Sequence, residues 1–134
     1  MKGEDAMKKK PKLRFFLPCT DVNFDDEERR MDAKGVYEYI QVSNLPSVFA
    51  LHIVLGIHNL EFGRRYQGLV EVFQAGKRIG GWEKQEISVD KPHEIVVLRL
   101  TADNFTVLLD APVEFRVFID DVLVDEQFID IVKE

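Results

Sequence analysis

Alternation of apolar and polar residues is the dominant pattern of the C-terminal part of the chain. Residues 113–119 are apolar at every second position, and a second apolar run covers residues 122–132. Asp120 and Asp121 separate the two runs, and aspartate tolerates the backbone geometry of tight turns. Because successive side chains of a strand point to opposite faces, the pattern predicts an antiparallel hairpin.

Shorter segments of the same kind recur along the rest of the chain. The clearest is residues 49–57, which are apolar at all five odd positions. Ala75 and Gly76 predict a tight hairpin turn, since glycine adopts positive φ without strain. Pro18 restricts the strand around it to a sheet edge or a strand end, because proline has no N–H to donate. Residues 21–30 predict a polar loop.

The spacing of the turn signals predicts the fold class. We expect roughly eight or nine short strands and an all-β fold, either a sandwich or a small barrel, over residues 12–134. A single antiparallel β-sandwich is favoured, because several strands are apolar on one face and mixed on the other. Residues 26–32 and 83–88 are each predicted to form one helical turn. Residues 1–11 are lysine-rich, and we expect them to form a disordered basic tail. Within that tail, Met7 is an alternative to Met1 as the first residue.

Length, net charge and cysteine content limit the classes of function that the sequence predicts. The chain has 134 residues, a formal net charge of −6 and one cysteine. Its length predicts one domain, and its net charge argues against nucleic-acid binding, which relies on neutralised phosphates. A single cysteine excludes an internal disulfide, no apolar stretch reaches the length of a membrane span, and the N-terminus does not resemble a secretory signal. These features predict a cytoplasmic protein without a membrane partner.

Candidate metal ligands are few. His52 and His58 lie on one face of a predicted strand but about 20 Å apart, and His93 is far from both in sequence. We therefore expect no transition-metal site and no cofactor. Calcium is the open alternative, as in lipid-binding sandwich domains, because two predicted loops carry several carboxylates. These residues are Asp21, Asp25 and Asp26 in one loop, and Asp120, Asp121 and Asp125 around the other. Turn formation and solvation explain both groups more simply.

No arrangement typical of a catalytic site is found. The three serines lack the Gly-x-Ser-x-Gly context of a nucleophile elbow. Cys19 could pair in space with His52 or His58, but a lone cysteine is more commonly a small buried apolar side chain. The sequence therefore predicts that the protein is not an enzyme.

Four aromatic residues form the candidate interaction surface. Phe16, Tyr37, Tyr39 and Trp82 occupy positions that a simple inward and outward alternation leaves exposed. Aromatic side chains are enriched in the centres of protein interfaces. Packing against the core of a strand covered on both sides is the alternative explanation.

Several short motifs carry a family resemblance across residues 13–132. These motifs are residues 15–22, 35–40 and 45–46, and the turn at residues 74–77. Together they resemble an uncharacterised bacterial and phage family of small immunoglobulin-like β-sandwich proteins. This chain differs in having Thr20 between the cysteine and the aspartate of the first motif. It also lacks the Gly-x-Tyr motif that opens the family's penultimate strand. The resemblance implies a single immunoglobulin-like antiparallel β-sandwich and no established activity.

The leading functional hypothesis is a non-catalytic interaction module of a bacterium or phage, which binds another protein or itself. Free sandwich edges and aromatic outer faces bind protein chains well. The alternatives are a structural accessory protein of a phage or virion, and a calcium- or lipid-binding sandwich domain.

Overall fold

A computed structural model describes residues 10–25, 27, 30–92 and 94–134, which form an all-β structure. These residues contain eleven strands and no helix. The strands are β1 (Lys12–Cys19), β2 (Asp21–Asp25), β3 (Arg30–Lys34), β4 (Tyr39–Val42), β5 (Ser47–His58), β6 (Arg65–Gln74), β7 (Lys77–Gly81), β8 (Gln85–Ser88), β9 (Val96–Val107), β10 (Val113–Ile119) and β11 (Val122–Lys133).

Two sheets pack over one hydrophobic core. The smaller sheet has the strand order β1-β5-β9, and the larger has the order β4-β11-β10-β6-β7, with β8 also paired to β6. Phe115 of β10 joins them, since its ring centroid lies 5.3 Å from that of Phe16 in β1 and 6.0 Å from that of Phe105 in β9. Both sheets contribute buried residues to the same cluster. The fold is therefore sandwich-like, and neither sheet closes into a barrel.

Both predicted hairpin turns are confirmed. Ala75 and Gly76 connect β6 to β7 with φ values of 49° and 77°, and Asp120 and Asp121 connect β10 to β11 with φ values of 49° and 65°. Two central residues with positive φ match the right-handed twist of the adjoining strands. The strand predicted over residues 49–57 is also confirmed, as part of β5.

The prediction of eight or nine strands is too low, and three short elements explain most of the difference. The predicted polar loop at residues 21–30 contains β2 and the start of β3, which pair as a two-stranded sheet. Both predicted helical turns are wrong, because β3 contains Arg30–Asp32 and β8 contains Gln85–Ser88. Charged residues on the outward side of these strands conceal their alternation in the sequence.

One strand pair departs from the predicted antiparallel arrangement. β4 pairs with the end of β11 in parallel, with Tyr39 beside Asp130 and Ile40 beside Ile131. All the other pairs among the described strands are antiparallel. Strand direction between elements so far apart in the chain is set by tertiary packing. Local alternation therefore gives no indication of it.

A bulge in β1 determines which of its side chains reach the core. Leu13 pairs with Ile57 and Phe15 pairs with Gly56, so Arg14 is an extra residue. After this bulge Phe16 faces the core, while Phe15 lies on the opposite side of the smaller sheet. A Cβ atom at Gly56 would lie 2.3 Å from a ring carbon of Phe15, so only glycine fits beneath this ring.

The β2–β3 hairpin adds a partial layer outside the smaller sheet. One side of the hairpin is apolar and half-buried, and its members are Val22, Phe24, Met31 and Ala33. The guanidinium of Arg99 in β9 lies over the ring of Phe24 at 5.3 Å. The hairpin explains the burial of Val54, which points away from the core and still has no exposed surface. The hairpin therefore blocks much of the smaller sheet's outer face.

The predicted tail falls almost entirely outside the described residues, where only Lys10 and Pro11 precede β1. Asp26 and His93 also fall outside them. Across the part of the chain that the structure describes, no helix is long and apolar enough to cross a membrane.

Candidate interaction surface

Two of the four predicted surface aromatics pack inside the sandwich. Phe16 lies against Phe115, and the ring centroid of Tyr37 lies 6.4 Å from that of Phe49. Both side chains are half-buried and contact the core cluster. Core packing is therefore sufficient to explain these two aromatic positions.

Trp82 spans the gap between the two sheets. It directly follows β7, at one edge of the larger sheet, and its indole Nε1–H donates to the carbonyl oxygen of Thr101 in β9 at 2.9 Å. Its ring also packs against the core. Trp82 therefore links the larger sheet to β9, the edge strand of the smaller sheet.

Tyr39 is the predicted aromatic that lies on the surface, with 49% of its area exposed. It stands on β4 beside Asp130, and the following residue, Ile40, points into the core. Tyr39 is therefore on the outer side of the larger sheet. Phe16 and Tyr37 pack against the core instead, so they do not form one exposed surface with Tyr39.

Tyr39 belongs to an exposed apolar set that is concentrated at one edge of the larger sheet. Phe128 is 61% exposed and Val132 is 42% exposed, and both lie on β11 with the buried residues Ile129 and Ile131 between them. Alternation along the strand therefore puts them on the same outer side as Tyr39. We define the β4–β11 patch as Tyr39, Glu126, Phe128, Asp130 and Val132.

The sequence prediction missed Phe128, which stands within the second apolar run. A signal for it exists, because Glu126 and Asp130 flank it at spacings of two residues. A phenylalanine between two acidic residues at period two belongs to the polar side of a strand. The bulge before it, where Val117 pairs with Asp125 but Phe118 pairs with Leu123, disturbs that period.

Ion pairs hold the centre of the same outer face. Arg116 of β10 pairs with Glu114, and its guanidinium lies over the ring of Phe73 in β6 at 3.9 Å. The hydrogen bond that Arg116 donates to Glu114 is the main cause that raises the pKa of Arg116, and the negative charges of Glu126 and Glu71 add smaller effects. This guanidinium is therefore held in place by the protein's own groups.

The other charged side chains of this face differ in whether they form ion pairs. Arg78 pairs with Glu71 through Nε and Oε2 at 2.6 Å. Glu126 and Asp130 form no ion pair with any described residue, although Glu126 lies within the electrostatic influence of Arg116. The exposed ring of Phe128 is thus flanked by two carboxylates without a direct ion pair, and Glu126 lies opposite Arg116 of β10. The patch therefore combines apolar area with negative charge.

The free strand edges are poorly suited to pairing with a strand of another protein. β1 carries Pro18, and β9 has a bulge at residues 103–104 in addition to the Trp82 contact. On β11, residues 122–129 pair with β10 on one side and with no described strand on the other. That stretch contains the bulge noted above, and Asp125 occupies a position on its inward side. Proline, bulges and inward charges all hinder edge pairing.

A concave region of about 570 Å³ lies between the starts of β1 and β11. Arg64 forms one wall, where it lies over the ring of Tyr66 at 4.7 Å and pairs with Asp120 at 3.5 Å. Oδ1 of Asp120 also accepts a hydrogen bond from the backbone N–H of Gln67 at 2.9 Å. These polar groups engage one another, so the wall stabilises the β10–β11 turn.

The carboxylates considered for calcium are engaged by the protein itself where they are described. Asp21 accepts from the backbone N–H of Val22, and Asp25 accepts from that of Glu27. Asp121 pairs with Lys84 at 2.9 Å. Within the described residues, no group of three or more histidine, cysteine, aspartate or glutamate side chains is placed to hold a metal ion.

Cys19 is completely buried at the end of β1. Burial is the main cause that raises the pKa of its thiol, so the thiol is protonated at neutral pH. A thiolate is the reactive form of cysteine. The environment of Cys19 therefore favours a packing role over a nucleophilic one.

We expect Cys19 in the folded protein to resist modification by a thiol-specific disulfide reagent at pH 8, because the thiol is both buried and protonated. After unfolding in guanidinium chloride it should react with one equivalent. Absorbance of the released chromophore measures both reactions. Stoichiometric reaction of the folded protein within minutes would contradict this environment.

Comparison with models of known protein families finds no match for this chain. Comparison with curated proteins finds no relative either. The resemblance to a bacterial and phage family therefore stays a prediction.

Proposed function

We propose that this protein is a non-catalytic interaction module that binds another protein through the β4–β11 patch. The proposal rests on the exposure of Phe128 beside Tyr39 and Val132, because three large apolar side chains then lie together on one face of the sheet. Buried aromatic anchors dominate the energetics of many interfaces. Burial of an exposed phenylalanine ring against a partner removes a large apolar area from water, and this stabilises the complex.

We also propose that the sandwich is immunoglobulin-like. In that arrangement the first, second and fifth main strands share one sheet, while the third, sixth and seventh share the other. The order β1-β5-β9 in one sheet and β11-β10-β6 in the other supports this assignment. The β2–β3 hairpin is then an addition between the first two main strands.

Replacement of Phe128 by alanine is expected to weaken partner binding at least about tenfold, because truncating a central aromatic anchor typically costs this much affinity or more. The partner is first captured from an extract of the cells that naturally make this protein, and is then purified. Titration calorimetry with the purified partner gives the affinity of the wild type and of each variant.

Phe62→Ala is the matched control, since Phe62 has the same exposed fraction as Phe128, 61%, but lies in the loop before β6. It should bind the partner as tightly as the wild type. The proposal fails if no protein binds the wild type saturably, or if Phe128→Ala and Phe62→Ala bind equally well. Sedimentation of the protein alone shows whether the patch instead joins two copies of this chain.

A further inference from the structure

The charge of the β4–β11 patch indicates the chemistry of its partner. Carboxylates outnumber guanidinium groups on the outer face of the larger sheet, where Arg78 and Arg116 are already paired. The unpaired carboxylates, Glu126 and Asp130, are the ones that flank Phe128. The part of the face with the most exposed aromatic area therefore also carries two carboxylates that form no direct ion pair with a described residue, of which Glu126 is partly compensated by Arg116 on the neighbouring strand.

The spacing of these groups suits a cationic side chain. Residues two apart on a strand are about 6.6 Å from each other, so Glu126 and Asp130 stand about 13 Å apart with Phe128 midway. Tyr39 adds a second exposed ring beside Asp130. Aromatic faces attract the ammonium of lysine and the guanidinium of arginine, and a nearby carboxylate adds to that attraction.

The same protein shows this chemistry at two other places. Arg116 lies over Phe73 with Glu114 as its ion-pair partner, and Arg64 lies over Tyr66 with Asp120 as its partner. In each case a cation sits on a ring with a carboxylate beside it. Phe128 has the carboxylates nearby, and no described arginine or lysine lies over its ring.

A second copy of the chain is a poor occupant of this surface. Two copies meeting through the patch would bring Glu126 and Asp130 against carboxylates of the same sign. The whole chain also has a net charge of −6, which opposes self-association in general. Charge complementarity therefore favours a basic partner over self-assembly.

We infer, on the basis of the proposed function, that the patch binds a positively charged segment of a partner protein. An arginine or lysine side chain of that segment lies on the ring of Phe128, between Glu126 and Asp130. The apolar side chains around it cover Tyr39 and Val132.

Defined peptides test this inference without knowledge of the partner. The probe is an extended ten-residue peptide with arginine at alternate positions and leucine between. One control peptide has glutamate in place of arginine, and another has citrulline, which keeps the shape and removes the charge. Amide chemical shifts of the full chain, followed during each titration, should move at residues 39–41 and 126–132 with the arginine peptide alone.

Removal of the two charges should weaken arginine-peptide binding about fivefold or more, since each exposed ion pair contributes up to several-fold. The variant is Glu126→Gln/Asp130→Asn. Glu83→Gln/Asp103→Asn is its matched control, because it removes the same charge at exposed positions away from the patch. Binding to the control should equal that of the wild type and should fall with added salt.

Several results would overturn the inference. These are no shifts at the patch with the arginine peptide at millimolar concentration, equal shifts with the citrulline peptide, or equal affinity for the two double variants. A dimer that Phe128→Ala abolishes would also overturn it, in favour of self-association. One result separates the two proposals. If Phe128→Ala no longer binds the captured partner but Glu126→Gln/Asp130→Asn binds it with wild-type affinity, the proposed function stands and the basic-partner inference fails.

Discussion

Replacing Phe115 by alanine is expected to lower the free energy of unfolding by about 3 to 5 kcal/mol, the usual cost of removing a buried phenylalanine ring. Phe115 has no exposed surface, and its ring contacts Phe16 and Phe105 of the opposite sheet. The substitution removes the ring at the junction between the two sheets and leaves a cavity there. Urea unfolding followed by the fluorescence of Trp82 measures the change.

Phe62→Ala is the control for this substitution, because the Phe62 ring is mostly in water. It should change the free energy of unfolding by no more than about 0.5 kcal/mol. A loss for Phe115→Ala that is similar to that of Phe62→Ala would show that the two sheets do not meet at this ring.

Replacing Gln74 by leucine is expected to cost about 2 to 4 kcal/mol, since it removes the partners of several backbone groups. Gln74 is completely buried at the end of β6. Its Oε1 accepts from the backbone N–H groups of Leu108 and Leu109 at 3.0 and 3.1 Å. Its Nε2 donates to the carbonyl oxygens of Leu109 and Ala111 at 2.9 and 2.8 Å. This single side chain fixes the connection from β9 to β10.

Gln67→Leu is the matched control, because Gln67 lies on the same strand with an exposed side chain. It should leave stability within about 0.5 kcal/mol of the wild type. Thermal and urea unfolding of both variants give the comparison. Equal stability of Gln74→Leu and Gln67→Leu would contradict the role assigned to the Gln74 hydrogen bonds.

Local patterns in the sequence were sufficient to predict the strands with one apolar side and the turns between them. β5 and both tight turns depend on neighbouring residues alone, and so does the position of Pro18 on an edge strand. Pairing between distant segments could not be predicted in this way. The parallel pair of β4 with β11 and the β2–β3 hairpin are stabilised by contacts that alternation does not reveal.

The candidate surface could be predicted only in part, and bulges are the physical reason. An extra residue moves every later side chain of a strand to the other face. Arg14 in β1 brings Phe16 to the core, and the bulge near Val124 in β11 sets the direction of Phe128. Tyr39 was predicted correctly as a surface residue because β4 is short and regular. Whether it contacts a partner stays a prediction.

The most direct measurement of the central claim is site-specific photo-cross-linking to the captured partner. A benzophenone-bearing phenylalanine replaces either Phe128 or Phe62, which are equally exposed. The docking surface proposed for the outer face of the larger sheet predicts a partner cross-link from position 128 and none from position 62. A cross-link from position 62 alone, or equal yields from both positions, would contradict it.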